Sequence, residues 1–347
     1  MSPLIMLIIS ISMLLGTSMT MFSSHWLTAW MGLEINTLAI IPLLTLPNHP
    51  RATESAIKYF LTQATASMVM MFAIIHNASM TNQWTLLQIS NPTASTLMTL
   101  ALATKLGLAP FHFWVPEVAQ GIPLFSGMIL LTWQKIAPTS IMYQISPTLN
   151  MNILILLAIM STLLGGWGGL NQTQLRKIMA YSSIAHMGWM TIIILINPIM
   201  TLLNLILYII ATLALFLTLN HASVTKIKSI SNLWNKSTPL TIIIFLSLLS
   251  LGGLPPLTGF MPKWMILQEL INSNNITIAT LMALSALLNL FFYMRIIYAA
   301  TLTMFPSTST TKLQWLIPQN KPVHTIPSLT IITTLLLPLS PIFMSLY

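Results

Sequence analysis

Windows of about 20 apolar residues recur along the whole chain, and each is long enough to cross a hydrocarbon core of about 30 Å as an α-helix. Of the 347 residues, 55% are hydrophobic and 5% are charged, so a soluble globule could not cover its surface. The sequence therefore predicts an all-α, polytopic transmembrane helical bundle. It has about eleven spans, near residues 3–22, 26–45, 59–79, 95–116, 124–143, 149–170, 178–197, 200–220, 239–270, 275–298 and 325–345.

The basic residues between the spans fall on one side of the membrane. They are Arg51 and Lys58 after the second span, Arg176 and Lys177 after the sixth, Lys226, Lys228 and Lys236 after the eighth, and Lys312 and Lys321 after the tenth. The positive-inside rule predicts that this side is cytoplasmic or matrix-like, with the amino terminus on it and the carboxyl terminus opposite. Because the charges are spread in ones to threes, no nucleic-acid surface is expected.

Absent residue types narrow the chemistry. The chain has no cysteine, which excludes disulfides, thiolate-ligated iron–sulfur clusters and cysteine-based zinc sites within it. The histidines show no repeated pairing that would suggest haem, so we predict no cofactor-binding or metal-ligating residue. The start, MSPLIMLIISIS, has neither a basic n-region nor a cleavage site, and we expect no removal of a presequence.

Four charged residues lie about mid-span, namely Glu34, Lys105, Lys135 and Lys263. A charge at the centre of a membrane helix costs about 2.5 to 3.5 kcal/mol on insertion scales. A tolerated anchor or an interhelix contact would account for any single one of them. Three cations and one anion at similar depth indicate a proton or ion path instead.

Two of these lysines stand beside predicted helix breaks. Gly107 and Pro110 follow Lys105, and the stretch SLGGLPPLTGFMPKW carries Pro255 and Pro256 ahead of Lys263. Proline removes a backbone hydrogen bond, and a carbonyl left without a donor at membrane depth needs protein or water to satisfy it. We therefore predict two discontinuous helices and a hydrated interior.

The positions of the breaks suggest an internal repeat. The discontinuous helices, near 95–116 and 239–270, each occupy the fourth place in a group of five spans. The groups cover residues 1–145 and 149–300, and residues 301–347 add a loop and a carboxyl-terminal helix. Since five is odd, the second group runs inverted, as in transporters that build a midplane site from broken helices.

A proton relay follows from residue chemistry, because a desolvated lysine can release its proton and an arginine cannot. At a separation of about 4 Å, Glu34 and Lys105 attract by roughly 4 kcal/mol. The hypothesis is that Glu34 gates Lys105, that Lys105 and Lys135 relay the proton, and that Lys263 passes it to the exit. His112 and His186 could carry protons or order water; a neutral imidazole bonded to a carbonyl is equally compatible with their positions.

Four motifs carry a family resemblance: WMGLEIN around Glu34, KLGLAPFHFWVPEVAQG from Lys105, AYSSIAHMGW with His186, and GGLPPLTGFMPKW ending in Lys263 and Trp264. In this order they resemble the antiporter-like membrane subunits of respiratory complex I and their relatives among cation/proton antiporters. The resemblance implies a subunit of a proton-pumping NADH:ubiquinone oxidoreductase in the mitochondrial inner membrane. Its amino terminus would face the matrix and its carboxyl terminus the intermembrane space, with the four charged residues forming the half-channels and the central relay.

The resemblance also implies partners. NADH, FMN, iron–sulfur clusters and ubiquinone would belong to partner subunits, and the chain would contact other membrane-arm and accessory subunits and lipids such as cardiolipin. Longer members of the family carry further amino-terminal spans, so the resemblance is to a shortened form. A stand-alone secondary cation/proton antiporter and a nonconducting scaffold are the alternatives.

Overall fold

The computed structural model describes residues 2–46, 48–303 and 325–339. Among them there is no β-strand, only isolated bridges between His25 and Thr85 and between Gln174 and Lys226. The prediction of an all-α chain is confirmed for these residues. The helices are α1 (Pro3–Phe22), α2 (Trp26–Leu44), α3 (Pro50–Thr81), α4 (Pro92–Leu106), α5 (Trp114–Gly121), α6 (Leu124–Leu131), α7 (Trp133–Ile145), α8 (Met151–Gly169), α9 (Leu175–Ile193), α10 (Pro198–His221), α11 (Ile227–Lys236), α12 (Thr238–Gly252), α13 (Phe260–Asn272), α14 (Ile276–Leu302) and α15 (Thr325–Leu335).

Six of the described helices are long and apolar enough to cross a bilayer: α1, α2, α3, α8, α10 and α14. Two shorter apolar helices, α12 and α15, fall where further spans are predicted. The end of the predicted span 325–345, together with Lys312 and Lys321, lies outside the described residues.

The prediction of one continuous span over residues 124–143 is wrong, because the helix is interrupted. Helix α6 ends at Leu131 and α7 begins at Trp133, with Thr132 between them. The backbone N–H of Lys135 bonds to Thr132 at 3.2 Å, and the Leu131 carbonyl accepts a hydrogen bond from the Tyr208 hydroxyl of α10 at 3.0 Å. In a continuous helix the Leu131 carbonyl would accept from the backbone N–H of Lys135. Here it accepts from Tyr208 instead, a tertiary contact that hydropathy alone does not reveal.

Two basic segments predicted as loops are helical. Arg51 and Lys58 lie in the first turns of α3, because that helix begins at Pro50. Of the lysines after α10, Lys226 caps the start of a short helix, α11, and Lys228 and Lys236 lie within it; its Ile230 and Leu233 are buried. The spacing of these apolar residues gives α11 one face that packs inward and one polar face.

Small residues bring the helices close enough to position the charged side chains. A Cβ at Gly16 of α1 would lie 2.9 Å from the backbone N of Asn36 and 2.9 Å from the Gly32 carbonyl oxygen in α2. Gly165 of α8 approaches α9 in the same way, with Ala185 N at 2.9 Å from its would-be Cβ. Such contacts are the usual basis of helix association in lipid, where apolar burial supplies little driving force.

Helices α4 and α12 end in the same manner. Gly107 and Gly253 follow their last residues with φ of +72° and +79°, a left-handed conformation that favours glycine. The backbone N–H of Gly107 bonds to the Thr104 carbonyl at 3.1 Å, and that of Gly253 bonds to the Leu249 carbonyl at 3.0 Å. Turns over residues 107–113 and 253–259 then lead to α5 and α13.

Candidate functional site: buried lysines at two helix ends

Two of the predicted lysines, Lys105 and Lys135, line one small enclosed cavity. Lys105 lies in the last turn of α4 and Lys135 in the first turn of α7, so neither is mid-helix. The cavity offers the centre of a water molecule about 10 Å³, which is close to the room that one water needs. Its remaining polar lining includes Asn36, Tyr59 and Gln134, set among apolar residues such as Leu33 and Leu130.

Glu34 of α2 approaches Lys105 from the side. Glu34 Oε1 lies 3.7 Å from Lys105 Nζ, and the side chains are 25% and 1% exposed, respectively. Neither atom has a hydrogen-bond partner within the described part of the chain. At an effective dielectric constant between about 20 and 40, this separation gives an attraction of about 2 to 4 kcal/mol. The pair is therefore strongly coupled without being locked by a direct hydrogen bond.

Lys135 closes the carbonyl end of α4. The residue four positions after Leu106 is Pro110, which has no N–H to offer the Leu106 carbonyl. Lys135 Nζ donates to that carbonyl instead. The Trp114 indole donates to the Thr104 carbonyl at 3.1 Å, and its ring centroid lies 5.9 Å from Lys135 Nζ. A cation at a helix carboxyl end, beside an aromatic ring, is favourably placed.

Lys263 donates to the carbonyl end of α12, as Lys135 does to that of α4. Pro255 and Pro256 stand four residues after Leu251 and Gly252, so both carbonyls lack the usual donor. Lys263 Nζ lies 2.8 Å from the Gly252 carbonyl oxygen and 3.4 Å from that of Leu251. At the ends of both α4 and α12, a lysine therefore donates to carbonyls that a following proline leaves without a backbone N–H donor.

A second cavity surrounds Lys263. It offers the centre of a water molecule about 20 Å³, and His186, Asn204 and Tyr208 are among its polar lining. The ring centroids of His186 and Tyr208 are 5.3 Å apart. Because the Tyr208 hydroxyl also bonds to the Leu131 carbonyl, this residue connects the second cavity with the break between α6 and α7.

The remaining predicted residues lie apart from the two lysine cavities. His112 is buried, its ring centroid is 4.3 Å from that of Phe113, and it lines neither cavity. Pro110, Pro255 and Pro256 are exposed in the two turns, where they act through the backbone rather than by contact with the lysines.

Sequence reasoning missed an uncharged polar network beside the first cavity. Gln134 Nε2 donates to Asn36 Oδ1 at 3.0 Å, and the Tyr59 hydroxyl donates to Gln134 Oε1 at 3.4 Å. All three side chains are buried. Their signal in the sequence is weak, since single amides and phenols are common in membrane helices, but Asn36 stands two residues after Glu34 and Gln134 immediately precedes Lys135.

Comparison with known proteins identifies the family. A profile described as "NADH:quinone oxidoreductase/Mrp antiporter, TM" matches residues 23–289, and one described as "NADH dehydrogenase subunit 2 C-terminus" matches residues 290–344. The NADH-ubiquinone oxidoreductase chain 2 of Osphranter robustus is 76% identical over 346 residues, covering 100% of this chain and 99% of that protein. The chain belongs to the NADH-ubiquinone oxidoreductase chain 2 family. The resemblance inferred from the four motifs is thereby confirmed.

A second relative agrees with this assignment, and a solved structure shares the fold. The chain 2 protein of Metachirus nudicaudatus is 71% identical, with 100% of both chains covered. A chain of respiratory complex I from Thermus thermophilus, solved with bound aureothin, superposes with a TM-score of 0.80 at 24% identity. That alignment covers 95% of this chain and 78% of the other, so the two share a fold.

Proposed function

We propose that this chain is a proton-translocating membrane subunit of a respiratory NADH:ubiquinone oxidoreductase, and that Glu34, Lys105, Lys135 and Lys263 form its proton relay. The chain 2 family membership supports the first part. The observation that carries the relay is the shared cavity of Lys105 and Lys135, with Glu34 Oε1 at 3.7 Å from Lys105 Nζ. The chain is a multi-pass protein of the mitochondrial inner membrane, since six described helices have spanning length and its relatives are mitochondrial-type chain 2 proteins.

In the relay, the carboxylate of Glu34 holds a proton on the Lys105 amine and releases it when the two groups separate. The proton then passes through the shared cavity to the neutral Lys135 amine. The polar contact from Tyr208 to the Leu131 carbonyl supports a continuation towards His186 and Lys263. Each step moves one proton from one amine to the next and leaves the donor neutral.

The architecture proposed for this relay is the inverted repeat. In it, α4 with α5 and α12 with α13 each form one interrupted span, in groups covering residues 1–145 and 149–300. The matching left-handed glycines and lysine-capped carbonyls at the ends of α4 and α12 support that pairing. The amino terminus faces the matrix and the carboxyl terminus the intermembrane space, in keeping with the common side predicted for the basic residues between the spans.

The partners are other membrane-arm and accessory subunits of the same complex and anionic lipids such as cardiolipin. NADH, FMN, iron–sulfur clusters and ubiquinone are handled by those partner subunits. The names of the relatives, each numbered as chain 2 of an NADH-ubiquinone oxidoreductase, support the presence of further chains in the complex.

The test uses the assembled oxidoreductase in closed membrane vesicles. Lys105→Met is expected to leave NADH oxidation under uncoupled conditions near the wild-type rate and to abolish the proton gradient. Lys105→Arg keeps the charge but cannot release a proton at physiological pH, so it should pump no better. Lys228→Met, at an exposed position of α11, is the control. Normal pumping by both Lys105 variants would overturn the relay.

A second measurement separates the alternatives. The detergent-extracted chain is expected to comigrate with NADH dehydrogenase activity in a large native assembly. A chain that migrates alone and exchanges cations for protons in reconstituted vesicles would be a stand-alone antiporter instead. A scaffold would lose assembly, or nothing at all, on neutralising Lys135 and Lys263, and would not lose pumping selectively.

A further inference from the structure

An open, charged basin lies between the start of α3 and the helix α5. It has a volume of about 430 Å³ and is lined by Arg51, Glu54, Ser55, Lys58, Glu117 and Gln120, together with Gly121. Lys58 Nζ lies 2.7 Å from Glu54 Oε1 and 2.9 Å from Glu117 Oε2, and the three side chains are about half exposed. Two carboxylates thus face water on the side of the molecule that carries the loop cations.

A polar stripe runs inward from this basin along the buried face of α3. Ser55, Tyr59 and Gln63 follow one another at intervals of four residues, and each is at most 5% exposed. Ser55 lines the basin, whereas Tyr59 and Gln63 line the cavity of Lys105 and Lys135. An interval of four residues advances about 6 Å along a helix, a gap that one bridging water closes.

Helix α5 forms the opposite wall of the same route. Glu117 faces the basin, while Trp114, one turn earlier, lines the lysine cavity and lies 5.8 Å from the Tyr59 ring. The approach of the two helices depends on Gly121, where a Cβ would lie 2.7 Å from the Arg51 carbonyl oxygen and 2.8 Å from Ser55 Cβ. The basin and the lysine cavity are therefore the two ends of one helix contact.

Extending the proposed function, we propose that the basin is the proton-uptake site of this chain and that Ser55 and Tyr59 conduct the proton inward. The carboxylate of Glu117, which faces the basin from α5, takes a proton from bulk water. Each hydroxyl of the stripe accepts one proton and gives up another, while the amides of Gln63 and Gln134 hold the intervening water. The proton ends on the neutral amine of Lys105, which lines the same cavity as Tyr59 and Gln63 and becomes ammonium.

Tyr59→Phe is the decisive variant, because it keeps the ring against Trp114 and removes only the hydroxyl. In the assembled oxidoreductase, uncoupled NADH oxidation should stay within about twofold of wild type while the rate of gradient formation falls at least about 100-fold, the lower end of what one proton-transfer group contributes. Tyr298→Phe, at an exposed position of α14, is the matched control and should pump normally.

Two further variants keep the inference falsifiable. If Tyr59→Phe impairs assembly, Ser55→Ala and Glu117→Gln test the other steps, and both are expected to slow gradient formation. Normal pumping by all assembled variants, with pumping lost in Lys105→Met, would overturn the uptake route and leave the proposed relay standing. Normal pumping by Lys105→Met as well would refute the proposed function itself.

Discussion

Replacing Glu34 by glutamine tests the electrostatic coupling on which the relay depends. The substitution keeps the shape of the side chain and removes its charge. At 3.7 Å, and with Glu34 one quarter exposed, the lost attraction to the Lys105 ammonium is about 2 to 4 kcal/mol. That amounts to a decrease of about 30- to 1000-fold in the ratio of protonated to neutral Lys105 at any given pH.

The consequence is a shift in the pH dependence of pumping. Since Lys105 holds its proton less firmly without the carboxylate, a lower pH is needed to load it. The alkaline limb of the rate of gradient formation should move to lower pH by about 1.5 to 3 units, whereas uncoupled NADH oxidation should keep its profile. The rate is measured in closed vesicles with a pH-sensitive dye across a buffer series.

Glu34→Asp is the matched control, because it retains the carboxylate at a slightly greater distance. It should shift the alkaline limb far less than the glutamine variant does. An alkaline limb of Glu34→Gln that coincides with that of wild type would refute the coupling of Glu34 to Lys105, whatever the absolute rate of the variant.

Four further substitutions probe the helix ends and the buried amide network. Lys135→Met should reduce gradient formation at least about tenfold with uncoupled NADH oxidation retained, as a dye assay will show. Gly107→Ala would hold an alanine at a left-handed φ of +72° and drive its Cβ into Val115 Cγ2, so it should destabilise the chain by about 1 to 3 kcal/mol and lower the amount of native complex. Gly252→Ala, whose Cβ would meet its nearest neighbour at 3.5 Å, should cost much less in the same native gel. Gln134→Leu should slow gradient formation by disconnecting the buried amide network, without affecting the yield of complex.

The charged residues of the site could be predicted because the chain has so few of them. A lysine inside an apolar window is conspicuous when 5% of residues are charged, and prolines mark the two turns beside Lys105 and Lys263. The distance between Glu34 and Lys105 could not be predicted, because it depends on how α2 and α4 pack. The same holds for the hydrogen bond from Lys135 to the end of α4.

The break at Thr132 shows why other features stay hidden. No glycine or proline stands there, and Pro138 lies further along, inside α7. What opens the helix is a phenol from α10, whose position depends on tertiary packing. Similarly, α11 was hidden because its lysines suggested a loop, and Asn36 and Gln134 because an uncharged amide carries no distinctive sequence signal.

The lysine caps couple the protonation of Lys135 and Lys263 to the stability of the ends of α4 and α12. A charged amine binds a carbonyl roughly twice as strongly as a neutral one. The prolines that follow leave the Leu106 and Gly252 carbonyls without N–H donors. The hydrogen bonds from Lys135 and Lys263 to these carbonyls are therefore stronger when the lysines are charged and weaker when they are neutral. Each proton that arrives at Lys135 or Lys263 strengthens the contact with one helix end, and each that departs weakens it, so the stability of that helix end follows the protonation state of the lysine that caps it.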